Sequence, residues 1–340
     1  MVRSGDQGAA MAFFGLYCPY FTFPGVSDDR LFARVAEIAA AAEDADFDAL
    51  FVMDHLHMVP NHGPPTDAMP EAYTLLGALA ARTSRIQLGA LVTGVTYRNP
   101  ALLAKMVTTL DLVSSGRAIC GLGAGWYEAE HQAYGFPFPP VAERLDRLEE
   151  ALRICRAMFT EEAPSVAGQY YQIAGALNFP RPIQPGGPPI WVGGGGERRT
   201  LRLAAQYADV CDLPLVDLVG VQHKLDVLAR HCESVGRDPA TIRKMRQGPV
   251  MLVKSRAEAE ARLEWAIAGM AQGYPGADLA MMRRGIIAGD PASVVEQVGT
   301  YLEAGLDGMT LVLRGAHEPE SISLIGEALR KAFGPRQSAA

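Results

Sequence analysis

"IWVGGGGERRTLRLAAQYADVCDLPL", residues 190–215, decides the fold. An apolar strand-like run at 190–192 enters four consecutive glycines, a charged stretch that suits a helix, and a second apolar run at 209–215. Two strands joined through a helix read as one strand–helix–strand unit of a parallel sheet. Glycine costs roughly 0.5–1 kcal/mol relative to alanine inside a regular element. Four in a row at a strand end therefore point to something approaching the main chain closely. A phosphate held by exposed N–H groups and the positive end of the next helix fits that description. A plain turn is the alternative.

The same alternation recurs in both directions. Toward the N-terminus, strand-like runs occur at 12–17 (AFFGLY), 49–54 (ALFVMD), 86–93 (IQLGALVT) and 118–125 (AICGLGAG), each followed by an amphipathic stretch. In the last of these stretches, Leu145, Leu148, Leu152 and Cys155 fall on one helical face. Toward the C-terminus, runs at 248–254 (GPVMLVK) and 308–315 (GMTLVLRG) complete the series. Alternation alone also fits a doubly wound open sheet. Eight units spread over the chain without a linker favour a (β/α)8 TIM barrel, residues 11–340, as a single domain. The segment at 161–189, rich in Gly, Pro and aromatics, reads as an insertion after strand 4, and 270–290 as an insertion after strand 7. The first ten residues, MVRSGDQGAA, read as a disordered lead-in.

Composition narrows the function. A net charge of −7 over 340 residues gives no basic face for nucleic acid. No apolar run reaches the roughly 18–20 residues that cross a bilayer, and no secretory signal opens the chain. Five cysteines, odd in number and without a CxxC pair, give neither a disulfide framework nor a zinc site. A cytoplasmic enzyme acting on a small molecule is expected.

In a barrel, chemistry sits at the carboxyl ends of the strands. Strand 2 ends in Asp54, His55 and His57. An HxH pair can bind metal, but strands 5 and 6 end in "VGGGG" and "CDLP" and offer no further histidine, so no metal is expected. Strand 4 passes through glycines into Trp126, Glu130 and His131. Neither glycine cluster has the G-x-G-x-x-G spacing of a dinucleotide fold, and the chain has no P-loop. A flat ring with a phosphate tail suits what remains.

Taken together, "VMDH", "LVTGVTYRNPALLAKMVTTLD", "GRAICGLGAGW", "RLEEALRICRAMFT" and "IWVGGGGERRTLRLAAQYAD" resemble the luciferase-like monooxygenase superfamily of barrels. Within it they look like the branch that uses the deazaflavin coenzyme F420. The resemblance implies hydride transfer between F420 and an organic substrate, with an FMN-dependent monooxygenase as the alternative, and a homodimer. It implies that Asp54 and His55 contact the ring, and that a cis peptide at Ala90–Leu91 buttresses it. Thr93 would touch the cofactor, and Gly194, Gly195, Gly196 and Thr200 would hold its phosphate, with Arg198 and Arg199 near its anionic tail. His55, Trp126 and Glu130 are the catalytic candidates. In the sugar-phosphate dehydrogenase branch a glutamate follows the strand-4 glycines. Trp126 stands there in this chain, which implies a less polar substrate.

Overall fold

The computed structural model describes residues 11–253, 256–273, 276–313 and 318–336. The expected lead-in at 1–10 lies outside them, as do 274 and 275 of the expected strand-7 insertion. Eight parallel strands close on themselves: β1 (Phe13–Cys18), β2 (Ala49–Val52), β3 (Gln87–Ala90), β4 (Ala118–Gly123), β5 (Ile190–Gly193), β6 (Val210–Leu213), β7 (Arg243–Leu252) and β8 (Gly308–Leu313). Closure comes from β8 on β1, with Gly308 opposite Phe13 and Leu311 opposite Leu16.

The strands are short and almost wholly buried because both of their faces are covered. Alternate residues point outward, where Leu16, Leu50, Leu88 and Val192 pack against the helices. The others point inward, where Phe13, Phe51, Ile119, Trp191, Val210 and Met245 fill the barrel floor. The Trp191 ring lies 4.9 Å from Phe51 and 5.6 Å from Phe13, centroid to centroid. Small residues make room for these rings. A Cβ on Gly15 would stand 2.9 Å from the Phe51 ring, and one on Gly121 only 2.1 Å from the Ala90 carbonyl oxygen.

Helix starts follow their caps. Asn99 accepts from the Ala101 N–H ahead of helix Pro100–Val113, with Pro100 in the first turn, and Asp217 accepts from Gly220 ahead of helix Leu218–Ser234. The segment after helix Val141–Thr160 carries a two-stranded antiparallel hairpin, Val166–Ala167 with Gln172–Ile173. The Glu150 carboxylate tethers it by accepting from the backbone N–H of Gln169, Tyr170 and Tyr171. After β7 come helices Arg256–Gly273 and Leu279–Gly285, then strand Ile287–Gly289 beside the outer end of β7.

β7 begins five residues earlier than the sequence reading placed it, at Arg243 and not Gly248. Arg243, Lys244, Arg246 and Gln247 disguise its first half. Arg246 is nevertheless fully buried: its Nε donates to the Val216 carbonyl at 2.9 Å, and the guanidinium lies over the Tyr301 ring at 4.4 Å.

Candidate active site

A cavity of about 430 Å³ opens at the carboxyl ends of the strands. Its walls come from nearly every strand: Tyr17 near the end of β1, Asp54 and His55 after β2, Leu91, Val92 and Gly94 after β3, and Gly123 to Trp126 at β4. Gly193, Gly194, Thr200, Asp212 and Gln247 complete the far side. One strip of this wall runs from Leu91 and Val92 through Gly123 to Gly193, with the Val92 side chain seated over the two glycines. A Cβ on Gly193 would reach within 2.7 Å of Val92 Cγ1.

His55 faces this strip and is held from behind. Its Nδ1 lies 2.8 Å from Glu130 Oε2. An ionised carboxylate only accepts, so Nδ1 carries the hydrogen and Nε2 is the nitrogen left for exchange. Glu130 itself is fully buried on the short helix Glu128–Tyr134. Its Oε1 accepts from the backbone N–H of Leu56 and from that of His57 at 3.2 Å, and the Tyr97 hydroxyl donates to Oε2. Burial pushes this carboxyl up, but the His55 hydrogen bond and charge, the Tyr97 hydroxyl and the Leu56 N–H together bring it down to about 2. Glu130 is therefore a fixed anion. It orients His55 and does not line the cavity, which corrects its place among the catalytic candidates.

The same helix steadies the strand-3 loop. His131 Nδ1 donates to the Tyr127 carbonyl at 2.7 Å, leaving Nε2, 2.7 Å away, to accept from the Thr96 hydroxyl. Asp54, almost fully buried, pairs with Arg98 Nη1 at 2.6 Å, and Arg98 Nη2 reaches Glu71 at 2.8 Å. Trp126 is 43% exposed, its ring edge-on to His55 at 5.8 Å between centroids. His57 turns away, its Nδ1 3.1 Å from the Met58 carbonyl.

Several expected contacts move by one residue. The cis peptide is Leu91–Val92, one bond beyond the expected Ala90–Leu91. Leu91 and Val92 both line the cavity, whereas Ala90 is buried in the outer core. Thr93 is also fully buried, its hydroxyl 2.7 Å from that of Tyr73, so Gly94 takes the lining place expected of it. In the glycine run, Gly193 and Gly194 line the cavity and Gly195 and Gly196 do not. The Gly194 N–H is already engaged by the Asp212 carbonyl at 3.0 Å. A Cβ on Gly196 would stand 2.8 Å from Thr200 Oγ1, so this hydroxyl folds over the run at the start of helix Thr200–Tyr207. Arg199 is committed to Asp146 at 2.5 Å and to the Ala142 carbonyl, whereas Arg198 is exposed.

The sequence reading missed Tyr17, Tyr97, Asp212 and Gln247. Of these, Asp212 alone stands in a strand end quoted above, the "CDLP" of strand 6.

A family model described as luciferase-like monooxygenase matches residues 13–308. Two curated relatives are F420-dependent glucose-6-phosphate dehydrogenases. That of Nakamurella multipartita is 28% identical over 316 residues, 87% of this chain and 91% of that enzyme. That of Kineococcus radiotolerans is 38% identical, but the match takes in only 48% of this chain and 47% of that one. The phthiodiolone/phenolphthiodiolone dimycocerosates ketoreductase of Mycobacterium kansasii is 30% identical, with 88% of this chain and 93% of that enzyme covered. Among solved structures, an F420-dependent secondary alcohol dehydrogenase in complex with an F420-acetone adduct has the same fold, with a TM-score of 0.79. It is 19% identical, and the match covers 94% of this chain and 99% of that one.

Proposed function

Because this chain belongs to the luciferase-like monooxygenase family, we propose that it is a coenzyme F420-dependent oxidoreductase that passes a hydride between the deazaflavin and an organic substrate. The observation that carries this reading is the strip of aliphatic and glycine residues beside His55. A planar ring would lie against Leu91 and Val92, and Gly123 and Gly193 seat the Val92 side chain, since a Cβ on either would come within 2.7 Å of it. The ribityl phosphate would lie by Gly194 and the Thr200 hydroxyl, the members of the expected cradle that line the cavity, at the positive end of helix Thr200–Tyr207. When bound, the deazaflavin supplies the ring carbon that gives or takes the hydride.

The chain's own residues do the rest. His55 Nε2 exchanges the proton that accompanies the hydride, with Glu130 fixing the tautomer. The Asp54–Arg98–Glu71 chain of ion pairs holds the loop on which His55 stands. Trp126 walls the opening and limits water beside the reacting atoms.

Fluorescence titration of the apoprotein tests the cofactor. F420 should bind with micromolar affinity or better, and FMN at least tenfold more weakly. Stoichiometric FMN without F420 binding would move the protein to the monooxygenase reading, since the two cofactors share the ribityl phosphate.

The working form is a homodimer in the cytoplasm. Leu102 and Val113 on helix Pro100–Val113, and Leu177, Phe179 and Ile183 of the segment hydrogen-bonded to it, are exposed apolar side chains that a second copy would cover. All five cysteines are free and buried, as suits a reducing compartment. No helix among the described residues is long and apolar enough to cross a membrane. Sedimentation of Leu102→Glu against the wild type tests the dimer.

A further inference from the structure

Asp212 is a buried acid in the cavity that the reading above leaves without a task. It stands on β6 opposite Gly193 and Met245, is 2% exposed and lines the cavity, and its Oδ1 has no hydrogen-bond partner. Its position is fixed, because its own carbonyl holds the Gly194 N–H. A buried polar atom left unpaired costs stability, so its persistence calls for an occupant. The nearest cation does not supply one. Arg246 points out through the other face of the sheet, onto the Val216 and Gly285 carbonyls and the Tyr301 ring. Burial pushes the Asp212 carboxyl up to about 8, partly offset by Arg246, so it is a neutral acid at neutral pH, with one donor and one acceptor.

The neighbouring strands continue this polar arc. Gln247 on β7 lines the cavity, and Thr310 on β8, paired with it in register, is fully buried with its hydroxyl unpartnered. Beyond Gln247 a second chamber of about 250 Å³ shares Tyr17, Asn61, His62 and Pro214 with the first. Its other walls are apolar, from Leu215, Pro249, Met270, Met282 and Val312. Among the described residues, neither chamber is lined by a lysine or arginine. A phosphate or carboxylate entering the second chamber, away from the start of helix Thr200–Tyr207, would leave water without a countercharge.

We propose that Asp212 is a specificity-determining residue, holding the hydroxyl or carbonyl oxygen of an uncharged substrate whose apolar body fills the methionine-lined chamber, and excluding anionic substrates. This rests on the reading of the cavity as the place of reaction.

The test uses four probes with one carbon skeleton: cyclohexanol, cyclohexanone, cyclohexanecarboxylate and cyclohexyl phosphate. Their binding to the F420-loaded enzyme and to the apoprotein is measured by calorimetry. The alcohol and ketone should bind at least tenfold more tightly than either anion. Asp212→Leu, which removes the unpartnered polar atom and should fold, should weaken the two neutral probes at least tenfold. Asp212→Asn keeps a donor and an acceptor and should hold them within about threefold of the wild type. Anions binding as well as the alcohol, an unchanged Asp212→Leu, or no binding of any probe would each overturn the proposal. F420 titrated in parallel separates the two readings. Loss of cofactor binding with intact probe discrimination would sink the cofactor assignment and leave this one standing.

Discussion

Glu130→Gln changes a single atom, and the structure dictates what that atom meets. Oε1 accepts two backbone N–H groups, from Leu56 and His57, so the amide oxygen must occupy that place. The amide NH2 is then forced into the Oε2 position, against His55 Nδ1 at 2.8 Å and the Tyr97 hydroxyl. Tyr97 can turn its hydrogen and accept. His55 can accept only by moving its own hydrogen from Nδ1 to Nε2, which turns the exchanging nitrogen from an acceptor into a donor. The fall of the Glu130 carboxyl from 4.5 to about 2 corresponds to about 3 kcal/mol held by the charged form. The amide keeps most of the contacts, so the loss of stability should be about 1–2 kcal/mol. Hydride transfer should fall by roughly 10²–10⁴-fold, with F420 affinity within threefold of the wild type. Nitrogen-15 NMR of histidine-labelled protein reads the tautomer without needing a substrate. The wild type should show a protonated Nδ1, and the variant a protonated Nε2. An unchanged tautomer in the variant would refute this account of Glu130.

Other consequences can be checked on the same preparations. His55→Ala should cut hydride transfer between F420 and the alcohol–ketone probes by roughly 10²–10⁴-fold, and normal turnover would demote His55 to a spacer. Gly193→Val should raise the F420 dissociation constant at least tenfold, about 1.4 kcal/mol, because its first carbon already meets Val92 at 2.7 Å. An alanine Cβ at Gly195 comes no nearer than 3.6 Å to Pro214 and 3.8 Å to Lys224, so Gly195→Ala should bind F420 nearly as the wild type does; equal effects would mean the Val92 strip is not the ring site. The Asp212 carboxyl is raised in the folded state, so its stability cost is absent below its ordinary value of 3.8, grows as pH rises, and levels off above about 8. Asp212→Asn should therefore raise the melting temperature more at pH 9 than at pH 5, and a pH-independent gain would contradict the buried acid. For Glu130, and for Glu43 on helix Leu31–Asp44, whose carboxylate accepts from the Ser84, Arg85 and Ile86 N–H groups, both lowered to about 2, the sign reverses. Their contribution is complete above 4.5 and is lost as pH falls toward 2, so Glu43→Gln should matter at pH 7 and little at pH 2 by thermal melts.

The barrel was legible because strand and helix periods recur with little interruption from Phe13 to Phe333, and rows of buried aliphatic residues keep those periods visible. The first half of β7 was hidden because Arg246 is buried through carbonyl contacts and an aromatic face, which composition cannot reveal. At the cavity, His55, Trp126 and Gly194 were legible as lining residues near strand ends, whereas Gly193 was not singled out. Ala90 and Thr93 were misplaced because Leu91 and Val92 both face the cavity, which breaks the inward–outward alternation and shifts every later residue by one. Glu130 looked like a distant substitute acid. Only the return of its helix over the strand-2 loop makes it the partner of His55.

One helix of seven residues, Glu128–Tyr134, fastens two loops at once. It holds the strand-2 loop through Glu130 and through the Tyr134 hydroxyl on the Leu56 carbonyl, and the strand-3 loop through Tyr97 and Thr96. Changes in either loop must therefore be tolerated by the other, and this half of the mouth can diverge only as a unit. The chamber walls at Leu215, Met270 and Met282 carry no such tie to that helix among the hydrogen bonds described. Descendants of this sequence can exchange those side chains, and with them the shapes they admit, while the histidine and its tautomer are inherited unchanged.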